Sequence, residues 1–426
     1  MTRAADTVPI SPAALTPPTI PLIDLADQSH RQVVVDREPG VYLGHPTTVL
    51  LEDGATMLAV YPMNHGHGQI LLKRSVDGGR TWSQRLPTPA NWLTSQETPT
   101  LYRTVDRRGT RRLILFSGRF PVRLSVSEDD GRTWTPLAPI GDFGGTVAMS
   151  DLVRLRSGDT MALFHECSYR LQPVSKPCVA CGQPATLTCG VCCWTTEESN
   201  YCAACAAKHG CEPRGLMPVD YTPCVRPHIP RQGVFKTLSS DGGLTWSRPE
   251  FVTSHPQGFL CEPGAVRSPD GQRLAVLLRE NHRRFNSFII FSDDEGATWS
   301  EPRELPTALT GDRHQARYAP DGRLFITFRE RALYGSPTHG DWCAWVGTWD
   351  DLATGREGQY RVRLMDNQIS DQDRDWDCGY PGVEVLPDGT IVTTTYGHWQ
   401  ARQKPYIVSV RLKLGELDEQ AKQADA

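Results

Sequence analysis

Six times along the chain a polar, glycine-bearing turn is followed by a short apolar run that ends in polar or ionisable residues: LEDGATMLAVY, DRRGTRRLILFSGR, RSGDTMALFHE, PDGQRLAVLLRE, PDGRLFITFRE and PDGTIVTTTYG. Gly54, Gly109, Gly158, Gly271, Gly322 and Gly389 supply the positive φ of a tight hairpin, and the β-rich runs behind them predict strands. Six such hairpins imply six sheets.

A second pattern runs out of phase with the first. SVDGGRTWS, SEDDGRTWT, SSDGGLTWS and SDDEGATWS begin at Ser75, Ser127, Ser239 and Ser292, at intervals of 52, 112 and 53 residues. In each string the Asp accepts backbone N–H bonds, Gly permits the bend and Trp plugs between strands, which makes a self-contained hairpin staple. The long interval is one period plus about sixty residues, and removing Tyr169 to His228 restores the period. Short strands at a period near fifty suit an all-β, six-bladed β-propeller better than a β-sandwich with coincidental turns. The expected organisation is an N-terminal extension over 1–30, a discontinuous propeller over 31–168 and 229–415, an inserted module over 169–228 and a C-terminal tail over 416–426.

Composition narrows the function classes. With 45 basic and 49 acidic residues well mixed and a net charge of −4, no basic stripe points to nucleic acid. No apolar run approaches the ~20 residues of a membrane span. The N-terminus lacks the apolar core of a signal peptide, so a cytoplasmic protein is expected. Nine of the 13 cysteines fall between Cys178 and Cys224, in spacing that fits metal binding in a reducing compartment better than a disulfide framework.

The repeated S-x-D-x-G-x-T-W string resembles the Asp-box, or BNR repeat, of the sialidase (neuraminidase) superfamily, and the likeness covers most of the chain outside the insertion. It implies a propeller whose Asp-boxes face away from the substrate pocket. The pocket should then lie where inner strands open and second strands end. That end carries His45, His65, His67, Glu97, Arg119, Asp151, His165, Glu166, Glu262, Arg279, Arg313, His314, Arg329, Tyr380 and His398, a set suited to clamping an anionic sugar.

Two segments agree with the family and one departs. CGYPGVEVLPDGTI resembles the segment holding the tyrosine nucleophile, which falls on Tyr380. CEPGAVRSPDGQRLAVLLREN resembles the segment with the glutamate that polarises it, Glu262, and a carboxylate-binding arginine, Arg279. In blade one, LGHPTTVL puts His45 where the family has an arginine, and YPMNHGHGQ offers His65 and His67 where it has an acid/base aspartate. Histidine can serve as acid/base near neutrality. In GDRHQARYAPDGRLFITFRE, even spacing along a strand puts His314 and Tyr318 on one face, with Arg313 and Arg329 nearby.

The resemblance thus implies an exo-acting glycosidase for an acidic oligosaccharide. Tyr380, Glu262, His65, His67 and His314 are the candidates for the chemistry, and Arg279, Arg119, Arg313, Arg329, His45 and His165 for binding. A propeller lyase, which would use His, Tyr and Arg for β-elimination beside a uronate, and a non-catalytic glycan- or protein-binding propeller remain alternatives. The insertion supplies Cys178, Cys181, Cys189, Cys192, Cys202, Cys205, His209 and Cys211, enough ligands for two closed tetrahedral zinc sites. It resembles MYND-like treble-clef modules, whose interleaved pairing would join the first CxxC to the third and leave the remaining four for a second ion. Such zinc is structural, no catalytic cofactor is implied, and the module offers a surface for protein contact.

Overall fold

A computed structural model describes residues 8–66, 68–119, 121–141, 143–166, 178–185, 187–189, 200–208, 216–218, 233–368 and 377–424, the backbone alone at 187–189, 200, 216–218 and 423–424. Its architecture is a six-bladed β-propeller. Blade one holds Thr47–Leu50, Met57–Pro62 and Ile70–Ser75, and blade two holds Thr100–Val105, Arg111–Ser117, Arg123–Ser127 and Ala138–Pro139. Blade three runs through Thr146–Arg154, Thr160–His165, Val234–Ser239 and Glu250–Thr253, and blade four through Leu260–Arg267, Leu274–Glu280, Phe288–Ser292 and Arg303–Glu304. Blade five comprises Gly311–Tyr318, Leu324–Glu330, Trp342–Gly347 and Tyr360–Met365. Blade six comprises Gly379–Val385, Ile391–Gly397 and Tyr406–Leu412, completed on its outer edge by Gln32–Asp36. Pairing the first propeller strand with the last closes the ring.

Apolar faces between adjacent blades pack together at all six seams of the ring. Leu58, Val60, Leu101 and Leu113 fill the gap between blades one and two, for example, and Leu163, Val234, Leu260 and Val276 that between three and four. Each fully buried Leu, Val or Phe contributes about 1.5–3 kcal/mol, so the ring is held by its inter-blade seams.

Both chain ends are tied into the ring. Leu22–Asp24, within the expected extension, pairs in parallel with Tyr360–Met365 and covers the outer edge of blade five. Helix Leu414–Ala424 buries Leu414 and Leu417 in the core shared by blades five and six. An open blade edge presents unpaired N–H and C=O groups, which these segments satisfy or cover.

The first three repeated turns share one hydrogen-bond pattern, and the fourth differs in that Ala297 N–H donates to Asp294 O instead of the side chain. In the first, Ser75 Oγ donates to Asp77 Oδ1 at 2.7 Å, and the Arg80 and Thr81 N–H groups donate to the same oxygen at 2.9 Å. Thr81, Thr133, Thr245 and Thr298 each donate to the second carboxylate oxygen of their turn's Asp at 2.6 Å. Gly78 N–H donates to Ala55 O, which sets this turn beside the Gly54 hairpin, at the opposite end of blade one from His45 and His65.

The insertion leaves blade three after His165 and rejoins it at Val234. Its described part holds a small sheet in which Leu187–Cys189 lies between Asn200–Tyr201 and Leu216–Pro218, followed in sequence order from Tyr201 by a short helix, Ala203–Ala206.

Candidate active site

The inner strands of blades three to six each carry a β-bulge near their start, where ladder register slips between Thr146 and Asp151, Cys261 and Gly264, Asp312 and Gln315, and Gly379 and Gly382. Within these bulges Val147, Glu262, Arg313 and Tyr380 adopt left-handed φ values of 46°, 49°, 57° and 63°, and His45 takes 50° just ahead of the inner strand of blade one. Such values cost energy for residues with a Cβ, and bulges re-aim side chains. After two of them only glycine fits. A Cβ on Gly264 would sit 2.2 Å from His314 O, and one on Gly382 would sit 2.1 Å from Thr48 Oγ1.

A cavity of about 390 Å3 opens at this end, lined among others by His45, His65, Glu97, Arg119, His165, Glu262, Arg279, Arg329 and Tyr380. On its floor Tyr380 Oη donates to Glu262 Oε1, and Arg279 Nη1 donates to that carboxylate oxygen at 2.7 Å and to Tyr380 Oη at 3.4 Å. Burial and the adjacent Glu262 charge push the Tyr380 phenol well above its ordinary range. Burial works against charge on Glu262, but the Arg279 guanidinium outweighs it and the carboxyl stays below its usual value. The resting pair is therefore a phenol beside a carboxylate, with the proton on tyrosine and the base ionised.

Beneath the floor lies Asp312, with no solvent exposure. It accepts from Arg283 Nη1 and Nη2 at 2.7 and 2.9 Å and from Arg329 Nε and Nη2 at 2.9 and 2.7 Å, and Arg279 Nε lies 3.0 Å from Oδ1. Burial opposes its ionisation, yet the three guanidinium groups hold it well below the carboxylate range.

Blades six and one supply a second polar cluster. Asp377 Oδ1 accepts from Tyr42 at 2.8 Å and Tyr396 at 3.0 Å and lies 3.0 Å from His65 Nδ1. The His45 ring packs edge-on to the rings of His65 and Tyr380, with centroids 4.4 and 4.5 Å away. On the facing wall Arg119 Nε lies 3.5 Å from Glu97 Oε2, and burial raises the Glu97 carboxyl. His165 Nδ1 accepts the Glu262 N–H at 3.3 Å, and burial keeps its imidazole below the ordinary value and neutral.

Ten of the cavity residues are thus ones expected from sequence, Asp151 and His398 lie outside its lining, and two expected site roles need correcting. Arg313 is buried and faces Tyr102 and Asp151 instead of the cavity. His314, 1% exposed, directs Nε2 to Leu309 O at 2.8 Å and packs against Phe328. The blade-five bulge causes both shifts, because an extra residue breaks the two-residue alternation on which the shared face of His314 and Tyr318 depended. Tyr318 instead reaches Arg267 O. His67 lies outside the described residues. Asp312, Asp377 and Tyr42 were not foreseen. A signal for Asp312 was an acid embedded among the basic residues of GDRHQAR, and for Asp377 its place three residues before Tyr380.

In the insertion Cys178, Cys181, Cys202 and Cys205 bring their sulfurs within 4.8 Å of one another, with Cys181 and Cys202 Sγ 3.7 Å apart. A tetrahedron of ~2.3 Å zinc–sulfur bonds has edges of roughly 3.8 Å, so these four residues fit one metal ion. They are the first and third CxxC pairs. Of the other expected ligands, the Cys189 side chain, Cys192, His209 and Cys211 lie outside the described residues.

No family model matches the chain, and no curated protein does. Among solved structures, a protein of unknown function from Dyadobacter fermentans aligns with 90% of this chain and 98% of its own at 14% identity, TM-score 0.60. A Hadza microbial sialidase aligns at 16% identity over 88% of this chain, TM-score 0.51, and Trypanosoma rangeli sialidase at 13% over 91%, TM-score 0.48. This chain spans 66% and 57% of those two sialidases. The likeness is one of fold, a sialidase-like propeller.

Proposed function

We propose that the protein is a glycoside hydrolase that cleaves the terminal bond of an acidic sugar, with Tyr380 as nucleophile and Glu262 as its base. The observation that carries this reading is the Tyr380–Glu262 hydrogen bond under Arg279, on the floor of a cavity large enough for a sugar ring. A buried phenol is a weak nucleophile until a base takes its proton as the oxygen attacks. Glu262 is ionised and in contact, so it can accept that proton. Arg279 then faces a neutral Glu262 and supports the charge developing on the phenolic oxygen.

Arg119, Arg279 and Arg329 line the same cavity, and they are the groups to meet a sugar carboxylate. A purely binding propeller would have no need to hold Tyr380 against Glu262. The four-cysteine cluster is read as one structural zinc site. Such a site needs reduced thiols and so suits a reducing compartment; none of the described helices is long and apolar enough to cross a membrane. The inserted module, leaving blade three directly after the cavity residues His165 and Glu166, is read as an element for specificity or protein contact.

Product masses test the reaction class. Incubation with sialylated and uronate-terminated oligosaccharides is expected to give fragments that together gain one water. Fragments that sum to the substrate, one of them unsaturated, would make the protein a lyase, and no cleavage of any panel member would leave binding.

A further inference from the structure

Hydrolysis through Tyr380 also needs a group to protonate the leaving oxygen. We infer that His65 does this through Nε2, and that Asp377 and Tyr42 are the positioning residues that hold its Nδ1–H. The inference rests on the hydrolase reading above.

Hydrogen-bond bookkeeping assigns the tautomer. Asp377 can only accept, and Tyr42 Oη lies 2.8 and 2.7 Å from its two oxygens and 2.7 Å from His65 Nδ1. Tyr42 has one proton, which the carboxylate claims. His65 Nδ1, 3.0 Å from Asp377 Oδ1, must then carry a hydrogen and donate it. Nδ1 is committed, so a proton exchanged with a ligand in the cavity travels on Nε2. Burial works against charge on Asp377, but the surrounding histidines hold its carboxyl well below the usual range. An ionised Asp377 holds the Nδ1–H in place and so fixes the orientation of the ring whose Nε2 serves the leaving group.

The other described histidines near the site are engaged differently. His45 Nδ1 accepts the Gly66 N–H at 3.1 Å, which leaves its proton on Nε2, directed at Tyr396 Oη 3.2 Å away. His398 Nδ1 meets Gln403 O at 3.0 Å, and its Nε2 lies 3.9 Å from Asp377 Oδ2, on the far side of that carboxylate from His65 Nδ1 at Oδ1. Among the described residues, the groups facing His65 include Tyr42, His45, Asp377 and, across the cavity, Glu97.

The steps balance. Tyr380 oxygen attacks the anomeric carbon as its proton passes to Glu262; the glycosidic C–O bond breaks, and the leaving oxygen takes the proton from His65 Nε2. Water then attacks the same carbon and returns a proton to Nε2, while the released Tyr380 oxygen recovers its own from Glu262.

Two measurements on the full chain test the inference. In histidine-labelled protein, nitrogen–proton correlation NMR should find the neutral His65 ring protonated on Nδ1, and Asp377→Asn should lose that preference; a ring protonated on Nε2, or one indifferent to the substitution, overturns it. In kinetics, Asp377→Asn should lower kcat/KM at least about tenfold for an oligosaccharide yet less than about threefold for a 4-nitrophenyl glycoside, whose leaving group needs no proton. Equal losses on both substrates, or the selective loss appearing in Glu97→Gln instead, overturn the role of His65 and Asp377 while leaving the hydrolase reading intact. A wild-type protein that cleaves neither substrate defeats the hydrolase reading, and the NMR result then decides the positioning claim alone.

Discussion

Replacing Asp312 with asparagine removes one negative charge from the most heavily paired point beneath the cavity. Asp312 is fully buried and touches Arg279, Arg283 and Arg329. Asparagine is nearly isosteric, so the loss is electrostatic: three guanidinium groups remain out of water, and an amide N–H2 now faces donors. Breaking a buried pair in this way costs about 3–5 kcal/mol. For a cooperative unit of roughly 350 residues, with an unfolding entropy near 2.1 cal/mol/K per residue, that lowers Tm by about 4–7 °C. Calorimetry of wild type and Asp312→Asn gives the number, with Glu52→Gln as control. Glu52 pairs with Arg103 at the surface, and its removal should shift Tm by no more than about 1 °C. The Asp312 carboxyl is held well below the usual range, so its contribution is present above the unfolded value near 3.9 and fades only as pH falls further. The gap between wild type and variant should hold from pH 5 to 8. An Asp312→Asn protein melting within 1 °C of wild type would refute the view that this carboxylate balances the arginines.

Two further outcomes are expected. Burial raises the Glu330 carboxyl to about 7, against the pull of Arg361; a raised carboxyl contributes stability below its unfolded value near 4.3 and loses it as pH rises through 7. Wild-type Tm should therefore decline from pH 5 to 8, by up to about 3 kcal/mol of stability, and Glu330→Gln should flatten that slope, which a melting series across pH reads directly. Elemental analysis should find zinc in the purified protein, and Cys181→Ser should lose one equivalent while cleaving a 4-nitrophenyl glycoside within about threefold of wild type. A larger loss would move the metal closer to the chemistry than a structural role allows.

The six glycine hairpins and four aspartate turns made the ring legible because each is a local device, complete within about ten residues. The pocket end followed from them, since a hairpin's turn and its strand ends lie at opposite poles of a blade. What stayed hidden depends on register. His314 and Arg313 sit in or beside a bulge, and strict alternation misplaces everything near one. Asp312 and Asp377 gain their roles from arginines, histidines and tyrosines that approach from other strands, blades or loops, and no spacing in the sequence encodes that convergence. The parallel pairing of Leu22–Asp24 with blade five is likewise a tertiary contact, between segments more than three hundred residues apart.

The central claim is that Tyr380 forms a covalent bond to the sugar. A fluorinated acidic glycosyl fluoride, which glycosylates a nucleophile quickly and leaves it slowly, should trap that state, and peptide mass spectrometry after digestion locates the label. The expected result is one sugar per chain on the peptide containing Tyr380, absent from Tyr380→Phe. Turnover of the natural substrate with no label on Tyr380, or a Tyr380→Phe protein that keeps full activity, would contradict it.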